Sequence, residues 1–205
     1  VKERESDYIS FMKRYQNVAM DPTTATFDSD KLPMCLDRAR GWGEISEDMK
    51  AQGATGVIVT LDPGGGTKDK RNSWAAVCVG AVNMAQEPPR TLHVLMIYRS
   101  KANIEETDEN IAAGVLGQVD MLIEEHRAYD ARMSVIEANA QNAWSIQLAK
   151  MRHFVAGSGS FAGQGRRAVL PHHTGSANKH DPDVGVASLA QKMASGLVRF
   201  PYGDE

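Results

Sequence analysis

Two acidic residues each follow an apolar run that has the character of a buried strand. Asp62 ends the run GVIVTL at 56–61 and precedes Pro63 and three glycines, and Glu137 ends a second run that begins at Arg132. Carboxylate oxygens are the ligands that Mg²⁺ and Mn²⁺ prefer. Two such ions can activate a water molecule and stabilise the leaving oxygen of a phosphodiester. The pair is therefore a candidate metal site for phosphodiester hydrolysis.

Each carboxylate also has an ordinary structural explanation. An aspartate before Pro-Gly forms turns well, so Asp62 could serve only to end its strand. Glu137 is harder to explain in this way, because a charge directly after strand residues 134–136 is costly to bury without a partner. Their matching positions at two strand ends favour the metal site.

The elements that must bring the two acids together follow from apolar spacing and turn residues. The predicted strands lie at 55–61, 73–82, 91–99, 132–137 and 168–170, with a last extended piece at 197–200. A first helix is predicted from the stripe of Ile111, Val119 and Leu122, capped by Thr107 and Asp108. Further helices are predicted at 143–154 and 184–194.

The order β-β-β-α-β-α-β-α predicts an α/β fold built on a mixed sheet. Short links join the first three strands, which predicts an antiparallel meander. A right-handed crossover must return to the same sheet, so the first and fourth strands should lie side by side and parallel. Asp62 and Glu137 would then share the C-terminal edge, where open α/β sheets bind ligands.

Composition indicates one globular unit with a core. The chain has 205 residues, of which 42% are hydrophobic and 24% charged, and this excludes disordered, collagen-like and disulfide-rich classes. Cys35 and Cys78 are far apart and form no Cys-x-x-Cys, which predicts two reduced thiols. No apolar run reaches the roughly 18 residues of a membrane helix, so we expect no membrane partner.

The charge distribution favours a polyanion despite a net charge of −3. Residues 138–179 contain no Asp or Glu but include Arg166, Arg167 and Lys179. The glycine-rich segment 157–165 in the same tract is a predicted mobile loop. A local positive tract can attract a polyanion even on an acidic chain. A chance fluctuation on a solvated surface is the alternative.

Two adjacent histidines, His172 and His173, could suggest a metal pair. Neighbouring residues of a strand point to opposite faces, however, so we predict a structural or DNA-facing role for them.

In the order and spacing of its motifs, the sequence resembles the nuclease domain of the large terminase subunits of tailed bacteriophages, the DNA-packaging motors. The segments that carry the resemblance span nearly the whole chain. They are FMKRYQNV at 11–18, LDPGGG at 61–66, SWAAV at 73–77, VIEANAQ at 135–141, TGSANK at 174–179, GVASLA at 185–190 and GLVRFP at 196–201.

The resemblance implies an RNase H-like fold and endonucleolytic cutting of concatemeric double-stranded DNA. It implies a two-metal site for Mg²⁺ or Mn²⁺ with Asp62 and Glu137 as ligands. The resemblance also implies a role for the tract at 138–179, which contains no Asp or Glu: its residues Arg166, Arg167 and Lys179 would contact DNA phosphates. The terminase small subunit and the capsid portal are the implied partners, and the host cytoplasm, at the procapsid, is the implied location.

Two departures from the family pattern shape the expected domains. No Walker motif occurs, so we expect residues 1–50 to be a linker or arm from a missing ATPase domain and residues 51–205 to be the nuclease domain. The family's third acidic ligand follows the strand matching 197–200, and this chain stops at Glu205. Asp181, Asp183 and Asp204 do not match its position, so we expect the C-terminal end of the domain to be lacking.

Two other functions stay open. The segment DPGGGT at 62–67 resembles the phosphate loop of sugar kinases and actin-like ATPases, whose opening elements have the same order. That resemblance implies a phosphotransferase, which ATP hydrolysis would support. The unassigned third acid favours a non-catalytic DNA-binding or motor-docking module, which would retain DNA without cutting it.

Overall fold

The computed structural model describes most of the predicted core elements. The described residues are 31–45, 47–51, 55–64, 74–87, 90–104, 116–138, 169–173 and 185–202, with 112, 114, 146 and 175.

The described strands form one seven-stranded mixed sheet. They are β1 (Leu36–Asp37), β2 (Thr55–Asp62), β3 (Ala75–Asn83), β4 (Leu92–Ser100), β5 (Met133–Glu137), β6 (Val169–His172) and β7 (Val198–Pro201). Their order across the sheet is β1-β7-β4-β3-β2-β5-β6. The described helices are α1 (Glu47–Ala51), α2 (Gln118–Ala128) and α3 (Val186–Ala194).

Strand β2 lies near the middle of the sheet and fixes its topology. It pairs antiparallel with β3, which pairs antiparallel with β4, so the predicted meander is confirmed. On its other side β2 pairs parallel with β5, and β5 pairs parallel with β6. The predicted α/β class and the mixed sheet, with the first and fourth predicted strands adjacent, are therefore confirmed.

Side-chain alternation along β2 separates a core face from an open face. Val57, Val59 and Leu61 are buried together with α2, whereas Thr60 and Asp62 are exposed. Full burial of each such apolar side chain is worth about 1.5–3 kcal/mol. A slip of one residue would expose all three and bury Asp62, so the sequence pattern fixes the register that places the carboxylate on the open face.

Helix α2 begins later than its apolar stripe predicts. Leu116 lies outside the helix and is 42% exposed, while Gly117, with extended backbone, is the N-cap. Gly114 has a positive φ of 66°, a conformation that a helix cannot contain. These two glycines separate the stripe into two parts. Thr107, Asp108 and Ile111 lie outside the described residues.

The far edge of the sheet is built partly from residues before 51. Strand β1 pairs parallel with β7, and β7 pairs parallel with β4. Cys35, in a 3-10 turn at Leu32–Cys35, packs with Val94, Met193 and Val198 in a second apolar cluster. Residues 36–37, inside the predicted linker or arm, thus add a strand to the sheet.

Helix α3 ends in a glycine motif that turns the chain into β7. Gly196 has a φ of 70°, and its N–H donates to Met193 O at 2.9 Å. The N–H of Leu197 donates to Lys192 O at 2.8 Å. This pair of bonds is the Schellman pattern, which needs a left-handed residue after the helix and so favours glycine.

Part of the predicted order falls on residues that are not described. Of the predicted helix at 143–154 only Ile146 is described, and it is buried in the main core. The predicted loop at 157–165 lies outside the described residues. Among the described helices none is long and apolar enough to cross a membrane.

Candidate functional site

Asp62 and Glu137 occupy equivalent positions on neighbouring strands. The parallel register of β2 and β5 pairs Thr60 with Val135 and Leu61 with Ile136. Asp62 and Glu137 are the next residues on each strand. Leu61 and Ile136 are buried on the core face, so the two acids belong to the open face. Asp62 is exposed and Glu137 is half-buried.

The register extends this position across five strands. Glu137 pairs with His172 on β6, Asp62 pairs with Ala76 on β3, and Ala76 pairs with Arg99 on β4. We call the set His172, Glu137, Asp62, Ala76 and Arg99 the edge row. It carries both acids at its centre and a basic residue at one end. His172 is thus in register with Glu137, whereas His173 follows the last residue of β6.

A buried glutamine holds the chain just beyond Asp62. Gln118, at the first turn of α2, is 0% exposed. Its Oε1 accepts from Gly64 N at 3.1 Å, and its Nε2 donates to Gly64 O at 3.2 Å and to Ala102 O at 2.6 Å. Both polar groups of Gly64 are therefore fixed by one side chain two residues from the carboxylate.

A second buried polar contact holds the strand that ends at Glu137. His126 on α2 and Ser134 on β5 are almost fully buried, and His126 Nδ1 lies 2.7 Å from Ser134 Oγ. Since α2 also carries Gln118, one helix contacts the polypeptide near both acids. Apolar periodicity predicts a helix here but gives no signal for the hydrogen bonds of Gln118 and His126. The only hint in the sequence is that these two residues are polar within an apolar stripe.

The donor set has the chemistry of a divalent-cation site. Asp62 and Glu137 offer hard carboxylate oxygens, which suit Mg²⁺ and Mn²⁺. Within the described residues, no group of three or more His, Cys, Asp and Glu side chains is close enough to hold a metal ion. Since Mg²⁺ commonly uses one or two carboxylates and completes its shell with water and phosphate, the two acids fit such an ion.

The predicted DNA-contacting residues Arg166, Arg167 and Lys179 lie outside the described residues. Their position relative to the edge row is therefore not described, and their role stays a prediction. The same holds for Asp181, Asp183 and Asp204.

A cavity of about 530 Å³ lies away from the edge row, at the β1, β4 and β7 side of the sheet. Its lining includes Asp37, Arg38, Thr91, His93 and Arg199. His93 is near the start of β4, whereas Arg99 is near its end, so the cavity and the edge row belong to opposite ends of that strand. The cavity takes no part in the candidate site.

Comparison with solved structures finds several matches at low sequence identity. The nuclease domain of the large terminase subunit gp2 of bacterial virus Sf6 matches with a TM-score of 0.46 and 9% identity, over 87% of this chain and 74% of that one. Thermus thermophilus RuvC matches with a TM-score of 0.33 and 15% identity, over 57% and 63% of the two chains.

The same enzyme in complex with a Holliday junction substrate matches with a TM-score of 0.35 and 15% identity, over 69% of this chain and 90% of that one. No family model matches the sequence, and no curated protein does. A terminase nuclease domain, the kind of protein that the sequence resembles, is thus among the solved structures that match.

Proposed function

We propose that this chain is a metal-dependent endonuclease that hydrolyses phosphodiester bonds of double-stranded DNA at the edge row. The observation that carries the proposal is the register of β2 and β5. It brings two carboxylates to the same step of adjacent parallel strands, on the open face and at the C-terminal edge. A structural role for Asp62 in a turn does not require Glu137 to be its neighbour.

Asp62, Glu137 and Gln118 would have different roles in this reaction. Asp62 and Glu137 would hold Mg²⁺ or Mn²⁺, which when bound supplies Lewis-acid stabilisation of phosphate oxygens and an activated water. Gln118 fixes the backbone at Gly64 and so limits the positions that the preceding Asp62 can adopt. The exposure of Asp62 leaves the edge open to a DNA strand.

The biological setting follows from the resemblance of the sequence. We propose that the activity serves a viral DNA-packaging terminase and cuts concatemeric DNA in the host cytoplasm, with the terminase small subunit and the capsid portal as partners. Residues 1–50 would then lead from an ATPase domain into the nuclease domain at 51–205. Arg166, Arg167 and Lys179 would contact phosphates of the same DNA.

Plasmid nicking tests this function. We expect the chain to relax supercoiled plasmid in Mn²⁺, and Asp62→Asn or Glu137→Gln to lower the rate at least about 100-fold. Residues that only support metal ligands cost about 10–100-fold, and a ligand should cost more. Glu47→Gln is a matched control, because Glu47 is an exposed acid on α1. Equal rates for the control and both variants would exclude these ligands.

A non-catalytic DNA-binding or docking module is the second candidate. The observation that favours it is that the described residues contain no group of three or more His, Cys, Asp and Glu side chains that could hold a metal ion. Retention of DNA without cutting in Mg²⁺ or Mn²⁺ would support it. The phosphotransferase alternative shares the order of elements and would instead require hydrolysis of ATP by the isolated chain.

A further inference from the structure

An exposed tryptophan lies beside the candidate site, and two cationic side chains contact its ring. Trp74 directly precedes β3 and is 49% exposed, which is high for a residue that is usually well buried. The guanidinium carbon of Arg99 lies 4.6 Å from the centroid of its ring, and Lys101 Nζ lies 5.1 Å from it. Both are within the roughly 6 Å of a cation–π contact. We call these three residues the tryptophan cluster.

The register places this cluster on the same face as the acids. Arg99 belongs to the edge row, since it pairs with Ala76, which pairs with Asp62. Two steps between neighbouring strands separate Arg99 from Asp62, a backbone distance of about 10 Å. At this distance the cluster can contact a phosphate of the same DNA strand close to the one at Asp62.

We propose that the tryptophan cluster binds the phosphodiester backbone of the DNA strand that is cut, close to the phosphate at Asp62. Arg99 and Lys101 contact phosphates, and the Trp74 ring holds the two cations side by side. The proposal rests on the proposed function for the identity of the polyanion. The cluster would position the DNA strand whatever its base sequence, because contacts to phosphates do not distinguish the bases.

Charge and chemistry favour a polyanion over a protein partner. The cluster brings two positive charges together on a chain whose net charge is −3, an arrangement that favours a polyanionic ligand. Guanidinium groups also match phosphate geometry through paired N–H donors. Held over a rigid ring, both side chains lose less freedom when a phosphate binds.

The salt dependence of DNA binding tests this site without any cutting. The probe is a fluorescein-labelled duplex oligonucleotide, titrated with the whole chain in EDTA and followed by anisotropy from about 50 to about 200 mM KCl. Each phosphate contact contributes roughly 0.9 to the slope of log affinity against log salt, so Arg99→Gln with Lys101→Gln should reduce the slope by about 2.

Arg132→Gln is the matched control, since Arg132 is an exposed arginine directly before β5, at the opposite end of that strand from Glu137. We expect it to retain the slope of the unmodified chain. An unchanged slope in the Arg99, Lys101 variant, with normal thermal unfolding, would overturn the site. Trp74→Leu should weaken binding several-fold while Trp74→Phe retains it. Wild-type binding by both tryptophan variants would overturn the role of the ring.

The two proposals fail in different ways. A chain that binds DNA through the cluster but nicks no plasmid in Mn²⁺ would overturn the nuclease proposal alone. A chain that nicks plasmid with an unchanged salt slope in the cluster variant would overturn the cluster alone.

Discussion

At the scale of single residues, the candidate site depends on an uncharged side chain as much as on its acids. Gln118 makes three hydrogen bonds inside the protein, two of them to Gly64. Because it is fully buried, no water can replace these bonds if the side chain is lost. Its contacts therefore couple the start of α2 to the position of Asp62.

Replacing Gln118 tests this coupling. Gln118→Leu leaves the N–H and C=O of Gly64 and the C=O of Ala102 without their partner, and each buried unsatisfied group costs about 1–3 kcal/mol. We expect the free energy of unfolding, measured by urea denaturation, to fall by at least about 2 kcal/mol. The fraction that stays folded should also bind Mn²⁺ more weakly.

Gln191→Leu is the comparison, since Gln191 is exposed on α3. If Gln118→Leu is as stable as that variant and binds Mn²⁺ equally well, Gln118 does not position the loop.

At the scale of elements, the sheet edge formed by β1, β4 and β7 contains a second buried polar system. Arg40 is 2% exposed, forms an ion pair with Asp37 at 3.3 Å and donates to Val94 O at 2.8 Å. His93 lies beside this pair, and its buried Nδ1 has no hydrogen-bond partner among the described residues. The edge therefore holds a histidine that protonates unfavourably.

The stability of this edge should depend on pH. Burial lowers the pKa of His93, Arg40 and Arg199 lower it further, and Asp37 acts in the opposite direction. The unfolded chain then binds the proton more readily. The stability is therefore fully present above the ordinary histidine pKa of about 6.5 and is lost as the pH falls through the folded pKa.

We expect urea denaturation between about pH 7.5 and about pH 5 to show a larger loss of stability for the wild type than for His93→Gln, which cannot titrate. Other titrating groups contribute equally to both proteins. Parallel pH profiles for the two proteins would contradict the assignment.

Some strands of the sheet can be predicted from the sequence and others cannot. Strands β2, β4 and β5 were predictable within two residues because β-branched and apolar runs end at clear turn residues. Their pairing followed from connection length and crossover handedness, which are general rules of α/β folds. Strand β1 was not predictable, since Leu36–Asp37 has only two residues and forms through long-range pairing with β7.

The candidate site was predictable only in part, for a related reason. Asp62 and Glu137 are marked by position at strand ends, a local signal. The contact of Gln118 with Gly64 and the position of Arg99 in the edge row join residues far apart in sequence. Such contacts depend on register across several strands, which no local pattern contains.

At the scale of the whole molecule, the sheet carries the two acids on the face that is turned away from α2. Its core face packs against α2, with the buried residues of β2 and β5. Its open face carries the edge row and the tryptophan cluster. A divalent cation held by Asp62 and Glu137 would lie in the same row as Arg99. A DNA strand that crosses the sheet edge could then contact both the metal ion and the arginine.

Mn²⁺ binding to the intact chain, measured by calorimetry, tests most directly whether Asp62 and Glu137 act as one site. We predict that Asp62→Asn and Glu137→Gln each weaken binding at least about 100-fold, because loss of a ligand should cost more than loss of a residue that only supports one. Because both acids would hold the same ion, the double variant should weaken binding by less than the product of the two single effects. Wild-type Mn²⁺ affinity in both single variants would contradict the account.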